Sequence, residues 1–169
     1  PLTWQGQRYR SCERSSGNIS LAQGMARSEN VVALRVAQDV GLNRVVAMAQ
    51  RLGVNSPLDP VSGLILGQSE VNVLEMTGAY AVFDNNGVKN PPHAIAQILD
   101  GGDCDDPEDD ETCRVIYSQR QEGQPVISPQ IAQIMTQWLQ GVVREGTGRA
   151  ARIGENAAGK TGTTNDAVD

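Results

Sequence analysis

Residues 154–166 read GENAAGKTGTTND, a stretch that fits two different kinds of binding site. From Gly154 the letters match G-x-x-x-x-G-K-T, in which backbone N–H groups and a lysine surround the phosphates of a nucleotide. From Lys160 they match K-T-G-T, which on a strand can bind a substrate carboxylate and align a peptide as an added strand. The rest of the chain decides between these two interpretations.

A phosphate-binding loop needs a buried strand before it and a helix after it. The preceding GRAARI is too short and too basic for a buried parallel strand, and the following TGTTNDAVD is rich in residues that disfavour a helix. The sequence therefore favours a K-T-G-T strand. A P-loop-type nucleotide-binding module remains the alternative.

Length, composition and charge narrow the class of protein. The chain has 169 residues, 39% of them hydrophobic, which is enough for one domain or a piece of one. A net charge of -6 and a pI near 4.8 exclude nucleic acid as a partner. No apolar run is long enough to span a membrane, and the start lacks a signal-peptide core. Because the chain opens without Met and stops directly after a motif, we expect it to be a piece of a longer protein.

The first half of the chain reads as mainly helical. Residues 1–18 are polar and predicted to be irregular, and residues 19–90 form the helical part. Two helical segments are expected to meet near Ser28. Gly41 is predicted to end the second helical segment, and Asn43 and Gly53 are predicted to cap and end a third helix. Ser69 is predicted to cap a fourth helix, on which Val71, Leu74, Gly78 and Ala81 share one face.

Residues 91–127 are predicted to contain a strand hairpin with an acidic loop. AIAQIL and CRVIYSQ are the two strands, and seven carboxylates lie in the loop between Asp103 and Glu111. The loop lacks the ligand order of an EF-hand, so a solvated tip is favoured over a metal site. Cys104 and Cys113 flank the loop, and a disulfide and two free thiols both remain open. With Cys12 and one His, the chain shows no zinc pattern.

Residues 128–169 are predicted to form a helix and then the K-T-G-T strand. Ser128 caps the helix and Pro129 occupies its first position. Its apolar side chains form one stripe that we assign to the core: Ile131, Ile134, Met135, Trp138, Leu139, Val142 and Val143.

A second motif lies well upstream of K-T-G-T. Ser28-Glu29-Asn30 supplies S-x-N, in the order in which penicillin-recognising enzymes carry S-x-x-K, S-x-N and K-T-G. Together with the blocks at 19–53, 64–87, 142–151 and 157–169, these motifs resemble the transpeptidase domain of class A, bifunctional penicillin-binding proteins. The resemblance implies an α/β (α+β) fold, with a helical subdomain and antiparallel strands.

The resemblance also implies an activity. A serine attacks the D-Ala-D-Ala carbonyl of a peptidoglycan stem peptide, an acyl-serine forms, and β-lactams acylate the same serine. By the same resemblance, Ser28 relays a proton, Asn30 holds the substrate amide, and Lys160 tunes Ser28 and attracts the terminal carboxylate. Thr161 and Thr163 bind that carboxylate, and Gly162 leaves room for the backbone. No cofactor or metal is implied. The longer protein would be anchored in the membrane, act outside it, and carry a preceding glycosyltransferase domain.

One departure from the family pattern is serious, because the chain has no S-x-x-K. Asn86 stands three residues before Lys89, and Ala157 stands three residues before Lys160. The nucleophile would therefore lie upstream, in missing parts of the same domain or in another chain, and this chain alone should be inactive. Three early serines lack a suitably spaced lysine: Ser11, Ser15 and Ser16. His93 has no nucleophile-elbow partner. A catalytically silent wall-binding or partner-binding domain is a further alternative.

Overall fold

The computed structural model describes residues 1–10, 17–106, 108–120, 122–154 and 156–163. Within this part, the chain forms five α-helices and three antiparallel pairs of strands. This mixture confirms the predicted α/β (α+β) class. The positions that fall outside the described residues include those of Ser11, Cys12, Ser15 and Ser16 and the final stretch 164–169.

A small hairpin stands where irregular structure is predicted for residues 1–18. Strand β1 (Leu2–Trp4) pairs antiparallel with β2 (Gln7–Tyr9). The two residues between them, Gln5 and Gly6, have φ values of 48° and 79°, as a two-residue type I′ turn requires. The predicted irregular structure is wrong here, because Gln5-Gly6 forms a tight turn that pairs two short polar segments.

Three helices follow, α1 (Leu21–Ala26), α2 (Asn30–Val40) and α3 (Leu42–Leu52). The break between α1 and α2 confirms the predicted junction near Ser28. Gly41 and Gly53 end α2 and α3 as predicted, each with positive φ.

The capping residue predicted for α3 is wrong. Gly41 occupies both the C-cap of α2 and the N-cap of α3, so Asn43 already lies inside the helix. The chain changes direction at one residue, where a φ of 91° suits glycine, and no separate cap is present.

Helix α4 (Val73–Asp84) differs from its prediction in cap and in face. Asn72, and not Ser69, caps it, accepting a hydrogen bond from the Leu74 N–H at 2.8 Å. Its buried residues are Ala79 and Val82, whereas Leu74 is 59% exposed. The helix is apolar on most of its sides, so hydrophobic periodicity does not reveal which side packs.

Helix α5 (Pro129–Arg144) begins as predicted, with the Ser128 side chain accepting from the Ile131 N–H at 3.3 Å. The predicted core stripe is confirmed only toward its end. Leu139, Val142 and Val143 are buried, whereas Ile131 and Ile134 are 52% and 45% exposed. The helix packs on α1 and α4.

Two short strands, β3 (Val88–Lys89) and β6 (Gln124–Pro125), pair antiparallel beside the helices. A longer hairpin consists of β4 (Gln97–Cys104) and β5 (Cys113–Ser118), which confirms the predicted antiparallel pair. Strand β4 begins later than predicted and continues through residues assigned to the loop.

A disulfide between Cys104 and Cys113 closes this hairpin, which decides between the two states that the sequence leaves open. At the same end, the Arg114 guanidinium binds Asp100 and Asp103, the latter at 2.7 Å. Asp100 pairs with Arg114 and Cys104 with Cys113, and the register shifts between these two pairs, where the intervening G-G-D has residues that disfavour strands.

The core of the described chain is built mostly from small side chains. Its largest fully buried members are Leu34, Val82 and Val142, from α2, α4 and α5. None of the described helices combines the length and the apolarity that a membrane span requires.

The strand predicted for K-T-G-T, near the candidate site, is not formed. Residues 156–163 are neither helix nor strand. A strand exists by pairing with a neighbour, and the described strands pair among themselves as β1 with β2, β3 with β6, and β4 with β5. The K-T-G-T segment therefore has no sheet partner among the described residues.

Candidate functional site

The two predicted motifs meet in the folded chain. Lys160 Nζ donates a hydrogen bond to Ser28 Oγ at 2.7 Å, although the residues lie 132 positions apart in sequence. The same ammonium group donates to the Thr161 carbonyl oxygen at 3.0 Å. The S-x-N and K-T-G-T motifs are thus in direct contact through their first residues.

The turn between α1 and α2 places Ser28. Its φ of 55° lies in the left-handed region, which a residue with a side chain rarely adopts. The Ser28 N–H donates to the Met25 carbonyl at 3.1 Å, and the Glu29 N–H donates to the Gly24 carbonyl at 2.9 Å. These bonds close the end of α1 and hold Ser28 in a conformation that costs about 1–2 kcal/mol. Backbone strain of this kind is common at functional sites, where the surrounding structure fixes the orientation of a side chain.

The Ser28 hydroxyl keeps a proton that it can donate. A hydroxyl has one O–H donor and two acceptor positions, and the lysine occupies one acceptor. Ser28 is half-buried, and no described residue accepts a hydrogen bond from its hydroxyl. This arrangement can pass a proton between the lysine side of the site and a bound ligand.

Asn30 is the first residue of α2 and is also half-buried. Its side-chain amide has no hydrogen-bond partner among the described residues. An amide in this state offers both a donor and an acceptor to a ligand. It lies two residues after Ser28, in the first turn of α2.

Burial changes the electrostatics of Lys160. Desolvation lowers the pKa of its ammonium group below the usual 10.5, because a partly buried site disfavours the charged form. Lys160 is one of two lysines in the sequence, and the other, Lys89, lies in β3. The site therefore holds a lysine that is partly desolvated and hydrogen-bonded to a serine.

The K-T-G-T segment is held against α5 and the loop that follows it. The Gly159 N–H donates to the Leu139 carbonyl at 3.3 Å, and Thr161 Oγ1 lies 2.6 Å from Thr147 Oγ1. Thr161, Gly162 and Thr163 are all exposed. Apart from its two chain neighbours, no described residue has an atom within 4 Å of the position that a Gly162 Cβ would occupy, so this side of the backbone leaves room for a ligand.

The structure brings together Ser28, Lys160 and Thr161, with Asn30 on the adjoining turn. Thr163 makes only a local bond, from its hydroxyl to the Gly162 carbonyl at 2.9 Å. The sequence prediction missed Thr147, although its G-T-G setting just after α5 marks a tight loop. A cavity of about 390 Å³ lies elsewhere, and none of the candidate site residues lines it. Its lining residues are Gln5, Gln7, Val61, Ser62, Gly63 and Gln68.

The phosphate-loop interpretation is not supported. A 3₁₀ turn, Arg149–Ala151, precedes Gly154 where a strand is needed, and no helix follows Lys160 in the described residues. The lysine donates to a serine and to its own neighbouring carbonyl instead of facing a ring of backbone N–H groups.

Comparison with known proteins decides the family. The family model of the penicillin-binding protein transpeptidase domain matches residues 1–169. The chain belongs to this family. As a penicillin-binding protein transpeptidase domain, it carries S-x-N and K-T-G-T in the family's order, and neither the nucleotide-binding alternative nor the silent wall-binding alternative finds support.

Three similar proteins illustrate how much of the chain matches known penicillin-binding proteins. Penicillin-binding protein 1A of Rickettsia typhi is 30% identical over 181 residues, which cover 99% of this chain and 23% of the relative. The crystal structure of penicillin-binding protein 1A from Haemophilus influenzae has a TM-score of 0.78 at 24% identity, covering 97% of this chain and 30% of that one. Penicillin-binding protein 3 from Mycobacterium tuberculosis, complexed with ampicillin, has a TM-score of 0.66 at 23% identity, covering 79% of this chain and 34% of that one.

The two solved structures show the same fold as this transpeptidase domain. The chain spans less than a quarter of the length of its Rickettsia typhi relative.

Proposed function

We propose that this chain forms two walls of a serine D,D-transpeptidase site that cross-links peptidoglycan stem peptides. The part at 19–90 contributes Ser28 and Asn30, and the part at 128–169 contributes Lys160 and the residues after it. The observation that carries the proposal is the 2.7 Å hydrogen bond from Lys160 Nζ to Ser28 Oγ. It joins the two motifs into one surface that has a proton-carrying hydroxyl and a cation side by side.

In this proposal, each wall acts on a different part of the stem peptide. Asn30 holds the substrate amide, and Ser28 relays a proton to the nitrogen of the departing D-alanine. Lys160 attracts the terminal carboxylate and tunes Ser28, because a positive charge beside a hydroxyl stabilises negative charge that develops there. Thr161 and Thr163 donate hydrogen bonds to the carboxylate, and Gly162 lets the peptide backbone approach.

The nucleophile comes from outside these 169 residues, because neither lysine has a serine three positions before it. The serine of an S-x-x-K motif attacks the D-Ala-D-Ala carbonyl carbon, and the amide bond to the last D-alanine breaks. The amine of a neighbouring stem peptide then displaces the serine oxygen and forms the cross-link. The segment with S-x-x-K belongs to the same domain or to a partner chain.

β-Lactams are the second class of ligand. A β-lactam presents a reactive amide next to a carboxylate, so it can occupy the Asn30 and Lys160 positions together. The fold shared with the ampicillin complex of the Mycobacterium tuberculosis protein is consistent with this. We expect the acylated serine to remain blocked.

The site acts outside the cytoplasm, in a protein that a separate segment anchors in the membrane and that carries a glycosyltransferase domain. Support for the compartment comes from the Cys104–Cys113 disulfide, since disulfides persist in oxidising surroundings and are rare in the cytosol.

Labelling with a fluorescent penicillin tests the proposal. The assay compares the 169-residue chain with an extended protein in which flanking segments are restored and the upstream one carries S-x-x-K. We expect covalent labelling of the extended protein only. An extended protein that folds, as judged by circular dichroism, and is not labelled would contradict the proposal.

Variants of the extended protein test the assignment of the walls. Lys160→Ala should reduce the labelling rate about a hundredfold, by analogy with the loss of other charge-stabilising groups. The matched control is Lys89→Ala, which removes the chain's other lysine from β3, and it should label at the parent rate. Equal rates for the two variants would show that Lys160 is not part of the site.

A further inference from the structure

The loop after α5 lies between the end of α1 and the end of α5. The Thr147 N–H donates to the Ala26 carbonyl at 3.0 Å, and the Gly148 N–H donates to the Val142 carbonyl at 3.0 Å. The Gly146 N–H adds a further bond to the Val142 carbonyl at 3.1 Å. Backbone bonds from two helices therefore fix the position of Thr147.

Gly146 makes this close approach possible. A Cβ atom at Gly146 would lie 2.0 Å from the Ala26 carbonyl oxygen and 2.9 Å from the Val142 Cα. Both neighbours are backbone atoms that cannot move aside as a side chain can. The loop thus contacts the α1 backbone directly, two residues before Ser28.

From this fixed position, the Thr147 side chain reaches the K-T-G-T segment. Thr147 Oγ1 and Thr161 Oγ1 are 2.6 Å apart, and we call this contact the threonine bridge. Whichever hydroxyl donates, the bond fixes the side-chain rotamer of Thr161. The bridge and the Lys160–Ser28 bond together close a ring of contacts through Ala26.

We infer that Thr147 is a positioning residue of the transpeptidase site, holding Lys160 and Thr161 in register with Ser28 through the threonine bridge. The inference rests on the proposed function for its effect on acylation, whereas the bridge itself rests on geometry alone. Among the described residues, three contacts hold the K-T-G-T segment: the Gly159 N–H bond to the Leu139 carbonyl, the Lys160–Ser28 bond and the threonine bridge. Thr147 is the contact that links Thr161 to the Ala26 carbonyl at the end of α1, two residues before Ser28.

Nuclear magnetic resonance of the 169-residue chain tests the bridge without any reference to catalysis. The sequence has two lysines, so labelling lysine Cε with ¹³C gives one signal for Lys160 and one for Lys89 as an internal reference. Thr147→Val keeps the shape of the side chain and removes its hydroxyl, and Thr147→Ser keeps the hydroxyl. We expect Thr147→Val to shift the Lys160 signal from its parent position and to raise the pKa of Lys160 toward the usual 10.5, because the side chain becomes more hydrated. Thr147→Ser should leave the signal and the pKa close to those of the parent.

A double-mutant cycle provides the second measurement. Thr161→Val removes the same bond from its other end, so the doubly substituted chain should shift the Lys160 signal no further than either single change. Additive shifts, or an unchanged Lys160 signal in Thr147→Val, would overturn the inference. The control is Thr77→Val in α4, whose hydroxyl bonds only the Val73 carbonyl of its own helix, at 2.8 Å.

Acylation of the extended protein then measures the consequence for the site. Thr147→Val should slow fluorescent-penicillin labelling about tenfold, in line with the effect of a small misplacement of binding groups. Thr147→Ser should restore the rate, and Thr77→Val should not change it. A Thr147→Val rate within about twofold of the parent would overturn the positioning role. If the parent itself is not labelled, the proposed function fails, and the resonance of Lys160 still decides whether the bridge exists.

Discussion

Gly24 in α1 lies directly against Val32 in α2, so that a Cβ atom at Gly24 would stand 2.7 Å from Val32 Cγ1 and 3.1 Å from Val32 Cβ. The valine is β-branched and has one favoured rotamer in a helix, so it cannot turn away easily. The close contact brings the two helices together at the turn that carries Ser28. The shape of the candidate site therefore depends on a glycine that is not part of it.

The first prediction concerns this contact. Gly24→Ala should lower the free energy of unfolding by about 1–3 kcal/mol, because it overpacks the α1–α2 contact. Gly78→Ala is the matched control, since Gly78 also lies in a helix but has open space at its Cβ position. It should raise the free energy of unfolding by roughly 0.5–1 kcal/mol through helix propensity. Urea unfolding of both variants checks the prediction, and changes of the same sign would contradict it.

The second prediction separates strain from chemistry at Ser28. Ser28→Gly and Ser28→Ala both delete the hydroxyl that binds Lys160, but only glycine adopts a φ of 55° without strain. Ser28→Gly should therefore be about 1 kcal/mol more stable than Ser28→Ala. Both should label slowly with penicillin in the extended protein.

Thermal unfolding and labelling rates measure the two effects independently. Equal stabilities would mean that the turn relaxes around either residue. A parent-like labelling rate in Ser28→Gly would remove Ser28 from the proton relay.

The third prediction is a pH dependence from Lys160. Burial lowers the pKa of Lys160 in the folded chain below 10.5, so the unfolded chain holds this proton more tightly. Stability contributed by this group therefore rises as the pH increases from the lowered pKa toward 10.5. The ammonium charge is lost over the same range, so affinity for a ligand carboxylate should fall as the pH passes through the lowered pKa.

Lys160→Arg is the control for this prediction, because arginine stays charged throughout the range. Penicillin labelling of the extended protein should lose rate on the alkaline side for the parent and keep it for Lys160→Arg. An alkaline decline of the same size in both would assign it to another group.

The fourth prediction concerns the disulfide-closed hairpin. Strands β4 and β5 pack chiefly on each other, and the Cys104–Cys113 bond closes their acidic end. Replacing both cysteines by serine should destabilise the hairpin by about 2–3 kcal/mol, as expected for a short loop. The effect should stay local, leaving the contact between Ser28 and Lys160 in place.

Hydrogen exchange monitored by mass spectrometry measures this locality. We expect faster exchange in Gln97–Cys104 and Cys113–Ser118 and unchanged exchange in α1 and α5. Faster exchange in α1 would show that the hairpin supports the site.

The sequence predicts where helices begin and end better than which side of a helix is buried. The serine cap of α5 and the glycine ends of α2 and α3 are local signals, and the structure confirms them. The packed face of α4 is not local, because its apolar residues surround the helix, and the positions of its neighbours α3, α5 and β3 decide that Ala79 and Val82 are buried. Ile131 and Ile134 show the same limit, since they fit the stripe of α5 and are exposed nonetheless.

The candidate site likewise contains residues that local sequence patterns predict and one residue that they do not. Motif order predicts Ser28, Asn30 and Lys160 as site residues, because each belongs to a short pattern whose residue types have chemical reasons to occur together. Thr147 has no such pattern, and its role depends on the backbone bond to Ala26 and on the nearby Thr161 hydroxyl. The K-T-G-T strand is wrong for a related reason, because strand formation depends on partners that the motif does not encode.

The bond between Ser28 and Lys160 also has a consequence for the order of folding. Its two residues are 132 positions apart, so the chain must close a very long loop before the contact can form. Local turns and helices form early, whereas contacts of such high contact order form late. Penicillin labelling of the extended protein would accordingly report that folding has finished, since a partly folded chain contains both motifs but has not yet brought them into contact.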